Sequence, residues 1–332
     1  MNYCSVHVIF INSMDGIFLA NNILIKVNAM YKYYIFGYNI ESDYEIEGAV
    51  QTHFDTPDIT VKYHPFPDEC ILSKSEENIV YRNITSDEVS LAFPEFGFFK
   101  ITKNVIEYRI VDGIENSWFS QIILCWLLVF NMVIRKDLLM HGSCISYGDN
   151  AFIISGESGA GKSSITDALL NMDYGFLSDD IVRICPIDSN MNAIASFPLR
   201  KLCGDTMDFN NLNKNLYKQV LGDERDKFFI DAKDIYINDP KPVKALFHLD
   251  ISDEITEPVV NEITGGEKIK YILKNLFQGQ SSNEAGNSID LFMKCSKLGA
   301  QISVLKITRP REGYTITQRA KMMDQIIKRI CK

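Results

Sequence analysis

At 332 residues, with 46% hydrophobic, 11% aromatic and 23% charged side chains, the chain has the make-up of a globular protein of one large domain or two modest ones, which excludes disorder. Its 19 Gly and 10 Pro are near average and exclude collagen-like or low-complexity scaffolds. The formal charge of -9, from 34 Lys and Arg against 43 Asp and Glu, lacks the basic footprint by which proteins hold nucleic acid.

The first 29 residues are Asn-rich and apolar without a clear period, and form an extension ahead of Met30, itself a candidate start. They lack the basic region, apolar stretch and small-residue cleavage site of a secretory signal, so a cytoplasmic protein is expected. The eight cysteines (Cys4, Cys70, Cys125, Cys144, Cys185, Cys203, Cys295, Cys331) are scattered singly. That spacing speaks against a zinc site and for reduced thiols packed as small hydrophobes.

Residues 30–115 carry short β-branched and aromatic runs (YYIFGYNI, DITVKYH, NIVYRN, GFFKITKNVIEYRIV) separated by Asp, Pro, Gly and Asn. These predict a small, mostly antiparallel β-rich module. His53 and His64 stand isolated in it, and the acidic group from Glu41 to Glu47 reads as a solvated edge.

A second part, 116–332, opens with an apolar helix. Its run from Trp118 to Ile134 is interrupted by Ser120, Gln121 and Asn131 and falls short of the roughly 20 clean apolar residues of a membrane span, so a buried core helix is expected. Strands and helices then alternate. LLMHGSCISYGDNAFIISG reads as two strands joined by a turn at Tyr147 to Asn150, the second feeding a glycine-rich turn.

That turn, Gly156-Glu157-Ser158-Gly159-Ala160-Gly161-Lys162-Ser163, fits G-x-x-x-x-G-K-[ST] between a buried strand and a helix that begins Ser163-Ser164. Such a loop cups phosphates with inward-turned amides and the positive end of a helix. Lys162 would reach the β and γ phosphates of ATP, and the Ser163 hydroxyl would sit on Mg²⁺. No N-K-x-D string marks a GTPase. The strand ALFHLD, ending in Asp250, keeps an ATPase reading open.

Further on, Tyr174 to Val182 reads as a helix exit, a turn and a short strand carrying Asp179 and Asp180. Neighbours on a strand point to opposite sides, so a division of labour is expected: one carboxylate orients metal or water, and the other accepts a proton from an attacking hydroxyl. His141, at the end of the strand before the loop, is a candidate to orient a carboxylate or share its proton.

The stretch from His141-Gly142-Ser143 through the loop to Ser178-Asp179-Asp180 resembles the catalytic core of the HPr kinase/phosphorylase family, which phosphorylates a serine of a small carrier protein. The resemblance implies an α/β P-loop kinase core of the kind shared with phosphoenolpyruvate carboxykinase. It also implies roles for His141, for Lys162, for Ser163 as Mg²⁺ ligand and for Asp180 as proton acceptor, with Asp179 adjoining.

The sequence departs from the family where E-[IL]-R-G-L-G-I should follow: Phe197-Pro198-Leu199-Arg200-Lys201-Leu202 keeps an Arg but puts Pro in place of the Mg²⁺-binding Glu. No arginine occurs from Leu246 to Ala300, and an R-P-G-R-N-like string appears only as Arg309-Pro310-Arg311-Glu312-Gly313. These departures imply a kinase without the phosphorylase reaction. Tyr33 to Ser42 resembles the opening of shorter relatives encoded with ribosomally made peptides.

The reading is an ATP- and Mg²⁺-dependent serine kinase acting on a small protein or peptide, with Arg200 contacting transferred phosphate or substrate. Neither nucleic acid nor membrane is an expected partner, and self-association stays open. The rival is an ATP-binding sensor or adaptor with little chemistry. The amphipathic C-terminus, with Ile316, Met322, Ile326, Ile327 and Ile330, predicts a core or assembly helix.

Overall fold

The computed structural model describes residues 17–20, 23–26, 30–67, 81–93, 95–157, 159–221 and 226–332. Most of the N-terminal extension lies outside the described residues, as do Cys4, Cys70 and Ser158. Within the extension, β1 (Ile17–Ala20) and β2 (Ile23–Lys26) pair antiparallel.

The β-rich part forms a seven-stranded sheet. Its strands are β3 (Tyr31–Ile35), β4 (Tyr38–Ser42), β5 (Ile59–Tyr63), β6 (Tyr81–Ile84), β7 (Glu88–Phe93), β8 (Gly97–Thr102) and β9 (Val105–Ile110), in the order β3-β4-β5-β9-β8-β7-β6. It is mixed: β5 runs parallel to both β4 and β9, and the remaining pairs are antiparallel. Alternate residues such as Val89 and Leu91, or Phe99 and Ile101, are fully buried, as the two-residue period of a one-sided sheet requires.

The layer on that buried face is α1 (Asn116–Ile134), whose middle turns, Ile123–Leu127, are π-helical. Phe119, Ile123, Leu127 and Phe130 join the sheet's residues in one continuous core. The same core reaches Leu139, Ile181 and Phe197 beyond the helix. The helix is long and apolar enough to cross a membrane, but 83% of its most apolar window is buried inside the protein.

Its polar interruptions are its ties to the rest of the chain. Ser120 Oγ accepts from the Glu47 N–H at 2.9 Å, and Gln121 bonds the backbone of Gln219 and Leu221 at 3.1 and 2.8 Å. Asn131, fully buried, donates to the Thr102 and Lys103 carbonyls at 2.7 and 3.1 Å.

A nine-stranded sheet follows. It contains β10 (Leu138–His141), β11 (Ser143–Tyr147), β12 (Asn150–Gly156), β13 (Gly175–Ser178), β14 (Ile181–Ile187) and β15 (Asn190–Ile194). After a separate ribbon, β16 (Leu199–Cys203) with β17 (Lys227–Asp231), come β18 (Lys241–Ser252), β19 (Val259–Ile263) and β20 (Ser303–Pro310). β18 runs parallel to both β12 and β20 at the centre.

Helices cover both faces. α2 (Lys162–Leu170) and α7 (Ile316–Ile330) pack on Phe152, Ile154 and Phe247, while α4 (Gly265–Lys274) and α6 (Ser288–Gln301) pack on Ile153, Leu246 and Val304. The shorter α3 (Gly204–Phe209) and α5 (Gly279–Glu284) lie in connections. The protein is therefore a mixed α/β structure.

α7 is a core helix, started by a capping box at Thr315, with Ala320, Met323 and Ile327 buried. Met322, Ile326 and Ile330 pack partly buried against the same core, and Met323 lies fully inside it. The described cysteines are free, and Cys144 and Cys295 are buried.

The run LLMHGSCISY, expected as one strand, is broken at Gly142, where a Cβ would lie 2.5 Å from the Ile154 carbonyl oxygen. Only glycine permits that approach, and the break sends β10 to pair with β14 and β11 to pair with β12 and β13.

Replacing Asn131 with Ala should lower unfolding stability by about 2 kcal/mol, because two buried carbonyls lose their donor. Urea denaturation at neutral pH would measure it, and nucleotide affinity should not change.

Candidate active site

β12 delivers the chain into the glycine-rich loop at its C-terminal end, beside β18. Gly156 has φ 143°, and a Cβ there would run into the Leu249 carbonyl on β18. Gly161, at φ 98°, is the N-cap of α2 and offers no side chain to cap it. The N–H groups of a helix's first turn have no partner within the helix and can receive an anion, and the helix dipole adds positive potential there. Lys162 is the first helical residue, and its ammonium folds back to the carbonyls of Gly156 and Glu157 at 2.7 and 3.2 Å. Ser163 lines the pocket beside it.

The pocket in front of the loop is a polar cavity of about 130 Å³. Whole small-molecule sites run from about 300 to 1,000 Å³, so this volume suits phosphoryl groups and not a base. Its far wall carries Asp179 and Asp180, which do not lie within a strand as expected. They form the bend between β13 and β14, where Asp180 adopts φ 71°. Asp and Asn tolerate that left-handed conformation better than most residues.

The bend gives the two carboxylates different surroundings. Asp179 faces the protein: Oδ1 accepts from Ser143 Oγ at 2.6 Å and from the Asp180 N–H at 3.0 Å, and Oδ2 accepts from the Lys201 N–H at 2.7 Å. These bonds make it a tie between three segments at the border of the cavity. Asp180 faces the cavity, with Oδ2 accepting from Lys201 Nζ at 2.8 Å and Oδ1 3.5 Å from His141 Nδ1.

Register explains the histidine. β10 pairs antiparallel with β14, so His141 lies opposite Ile181, the residue after Asp180. Its N–H donates to the Asn275 carbonyl at 2.7 Å, and its ring stacks on Phe277.

Burial opposes ionisation of Asp180, yet the Lys201 ammonium, helped by His141 and Lys227, draws its carboxyl down to about 2. Burial also lowers the His141 pKa below the ordinary imidazole value, and Asp180 only partly offsets this, so the ring is neutral at neutral pH. For Lys201 burial again acts against the charge, but Cys125, Asp180 and Asp179 outweigh it and hold the ammonium firmly protonated.

Other expected residues fall elsewhere. Arg200 does not enter the cavity. It forms an ion pair with Asp167 on α2, because on strand β16 it points away from its neighbour Lys201. Glu157 pairs with Lys274 at 2.8 Å, and Ser164 Oγ bonds Thr206 at the pocket edge at 3.0 Å. Ala160 is buried and Gly159 borders the cavity. Asp250 pairs with Lys306 at 2.9 Å and lines a separate small space with Arg309 and Arg319 behind the loop.

The residues that the sequence did not single out are Ser143, Lys201, Lys227 and Asn275. For Lys201 a signal was present: the strand period through Phe197-Pro198-Leu199-Arg200-Lys201 sends Arg200 and Lys201 to opposite faces.

No protein-family profile matches the chain, and no curated protein matches it. Among solved structures, the Hpr(Ser) kinase/phosphatase from Coxiella burnetii aligns over 57% of this chain and 94% of its own, at 13% identity and a TM-score of 0.32. The likeness is distant, and it assigns no role to any residue.

Among the described residues no three His, Cys, Asp or Glu side chains gather into a metal cage. The pocket instead offers the Ser163 hydroxyl and the carboxylates of Asp180 and Asp205. That donor set fits Mg²⁺ carried in on phosphates, since this ion commonly takes one or two protein oxygens and completes its shell with phosphate and water.

The depressed Asp180 pKa has a stability consequence. Its folded value lies below the ordinary 3.8, so it contributes about 2 kcal/mol that is present above pH 3.8 and is lost as pH falls toward about 2. Asp180→Asn keeps the bend's backbone and should show a flatter fall in unfolding stability between neutral pH and about 3, read from urea midpoints.

Proposed function

We propose that this protein is an ATP- and Mg²⁺-dependent serine kinase acting on a small protein or peptide. The observation that carries the reading is the placement of an ionised Asp180 across one small polar cavity from Lys162, Ser163 and the open amides of α2. A phosphate-holding wall thus faces a carboxylate able to accept a hydroxyl proton, and the bend and strand register hold the two walls together.

In this reading the loop amides and Lys162 hold the β and γ phosphates, and Ser163 would hold Mg²⁺, which neutralises phosphate charge when bound. The acceptor seryl oxygen attacks the γ-phosphorus. A new O–P bond forms, the bond from the γ-phosphorus to the bridging oxygen breaks, and the electron pair leaves with ADP. The seryl proton passes to Asp180. His141, neutral and within 3.5 Å of Asp180, orients that carboxylate.

Asp180 is a weak base in the free protein, and proton transfer therefore accompanies formation of the new bond, where the seryl hydroxyl becomes acidic. The commitment of Asp250 to Lys306, away from the cavity, favours transfer to an acceptor over simple ATP hydrolysis.

Asp180→Asn should lower transfer of labelled γ-phosphate to serine peptides at least about 100-fold, with the ATP dissociation constant changed by less than about threefold. Lys162→Ala should instead weaken ATP binding itself, measured by calorimetry. Near-normal transfer by Asp180→Asn, or label released to water without an acceptor, would overturn the reading.

A further inference from the structure

The ribbon of β16 and β17 stands apart from the main sheet and forms the cavity's third wall. Residues 201 and 203 share one face of β16 by the two-residue period, and the cross-strand partner of Cys203 is Lys227. Lys201, Cys203 and Lys227 therefore present a single face, and all border the same cavity as Lys162 and Ser163.

The side chain of Lys201 is only 11% exposed. It is held at both ends, its N–H by Asp179 Oδ2 at 2.7 Å and its ammonium by Asp180 Oδ2 at 2.8 Å. Below the ribbon Arg200 is anchored to Asp167 on α2, which fixes the ribbon to the helix that follows the loop.

The charges around the cavity explain why an ammonium stands at this point. Asp180 faces the place where a polyphosphate would enter, with the Asp179 carboxylate adjoining it. Their repulsion has to be screened before a γ-phosphoryl group can approach Asp180. The described residues contain no cage for a second divalent cation. Lys201 is the cation already in contact with Asp180, on a strand that is fixed in advance.

We propose that Lys201 is a catalytic cation that contacts the transferred phosphoryl group and takes the charge role of a second metal ion. The inference rests on the phosphotransfer reading of the same cavity. During transfer Lys201 keeps all its protons and turns one N–H from Asp180 to a γ-phosphoryl oxygen. Asp180, freed of that hydrogen bond, takes the seryl proton, the new O–P bond forms, and the leaving electron pair goes to ADP. Lys227 supports the same face as a second positive charge. Preorganised donors of this kind act on charge that develops in the transition state, so their loss falls on the transition state more than on ground-state binding.

The test uses the full chain and two probes: MgATP, and MgADP with aluminium fluoride as a mimic of the phosphoryl group in flight, both read by calorimetry. Lys201→Met should weaken the aluminium fluoride complex about 100-fold while the MgATP dissociation constant changes by less than about threefold. Lys201→Arg should recover at least about tenfold of that loss. Lys201→Gln, which can still donate to Asp180, is expected to behave as Lys201→Met and serves if the latter does not fold.

Equal weakening of both complexes would mean that Lys201 only anchors the ribbon, and unchanged binding of both would mean that it does nothing here. Either result overturns the proposal. Serine transfer by wild type and by Lys201→Met alike would overturn it while leaving the kinase reading intact. A wild type that transfers to no serine, yet forms a Lys201-dependent aluminium fluoride complex, would remove the acceptor assignment and uphold Lys201.

Discussion

The bend at Asp179 and Asp180 is the constraint on which the rest of the site depends. Three hydrogen bonds to one carboxylate fix it: from Ser143 on β11, from the next residue's amide, and from the Lys201 amide on the ribbon. Those donors come from separate segments, so Asp179 ties β11, the exit of β13 and the ribbon to a single point. Asp180 gains a defined direction, and the two lysines, Lys162 and Lys201, come to line one small space. A carboxylate that accepts several hydrogen bonds is an expensive group to leave unpartnered, which gives the arrangement its rigidity.

The same principle operates at larger scale between the two sheets. Tyr38 on β4, Asp137 and Arg183 on β14 form a largely buried network, with Tyr38 donating to Asp137 at 2.6 Å and Arg183 reaching Tyr38 and the Phe36 carbonyl at 2.7 and 2.8 Å. α1 fills the space under the N-terminal sheet, and its Ser120, Gln121 and Asn131 side chains bond backbone groups elsewhere. The N-terminal sheet is thereby packed against the strand that carries the Asp pair's exit, and Phe36 meets Phe197, just ahead of the ribbon.

Much of this was legible. The strand, glycine-rich loop and helix followed from local pattern, since glycine spacing, a buried β-branched run and helix-forming residues act within a few positions of one another. The burial of α1 was legible too, from Ser120, Gln121 and Asn131. The Asp pair was found but misplaced: a strand was read through Ser178-Asp179-Asp180, whereas Asp180 adopts φ 71° at the turn between β13 and β14. The family pattern points to Arg200, whereas the strand turns Lys201 to the cavity and Arg200 to Asp167. Which of two neighbours faces a cavity depends on the phase of a strand against the rest of the protein, and no local property of either residue states it.

The sequence by itself determined the local chemistry: an anion-holding turn at residues 156–163, a pair of carboxylates, a histidine at a strand end, and a chain with enough apolar surface for two buried layers. These depend on backbone preferences and residue types over short spans. Only the tertiary structure decided which groups meet. The split at Gly142 sends His141 to Asp180 across β10 and β14, and the ribbon carries Lys201 to the same carboxylate. The physical reason is that pairing register and strand phase are set by long-range packing, and a shift of one residue would turn every one of these side chains away from the cavity.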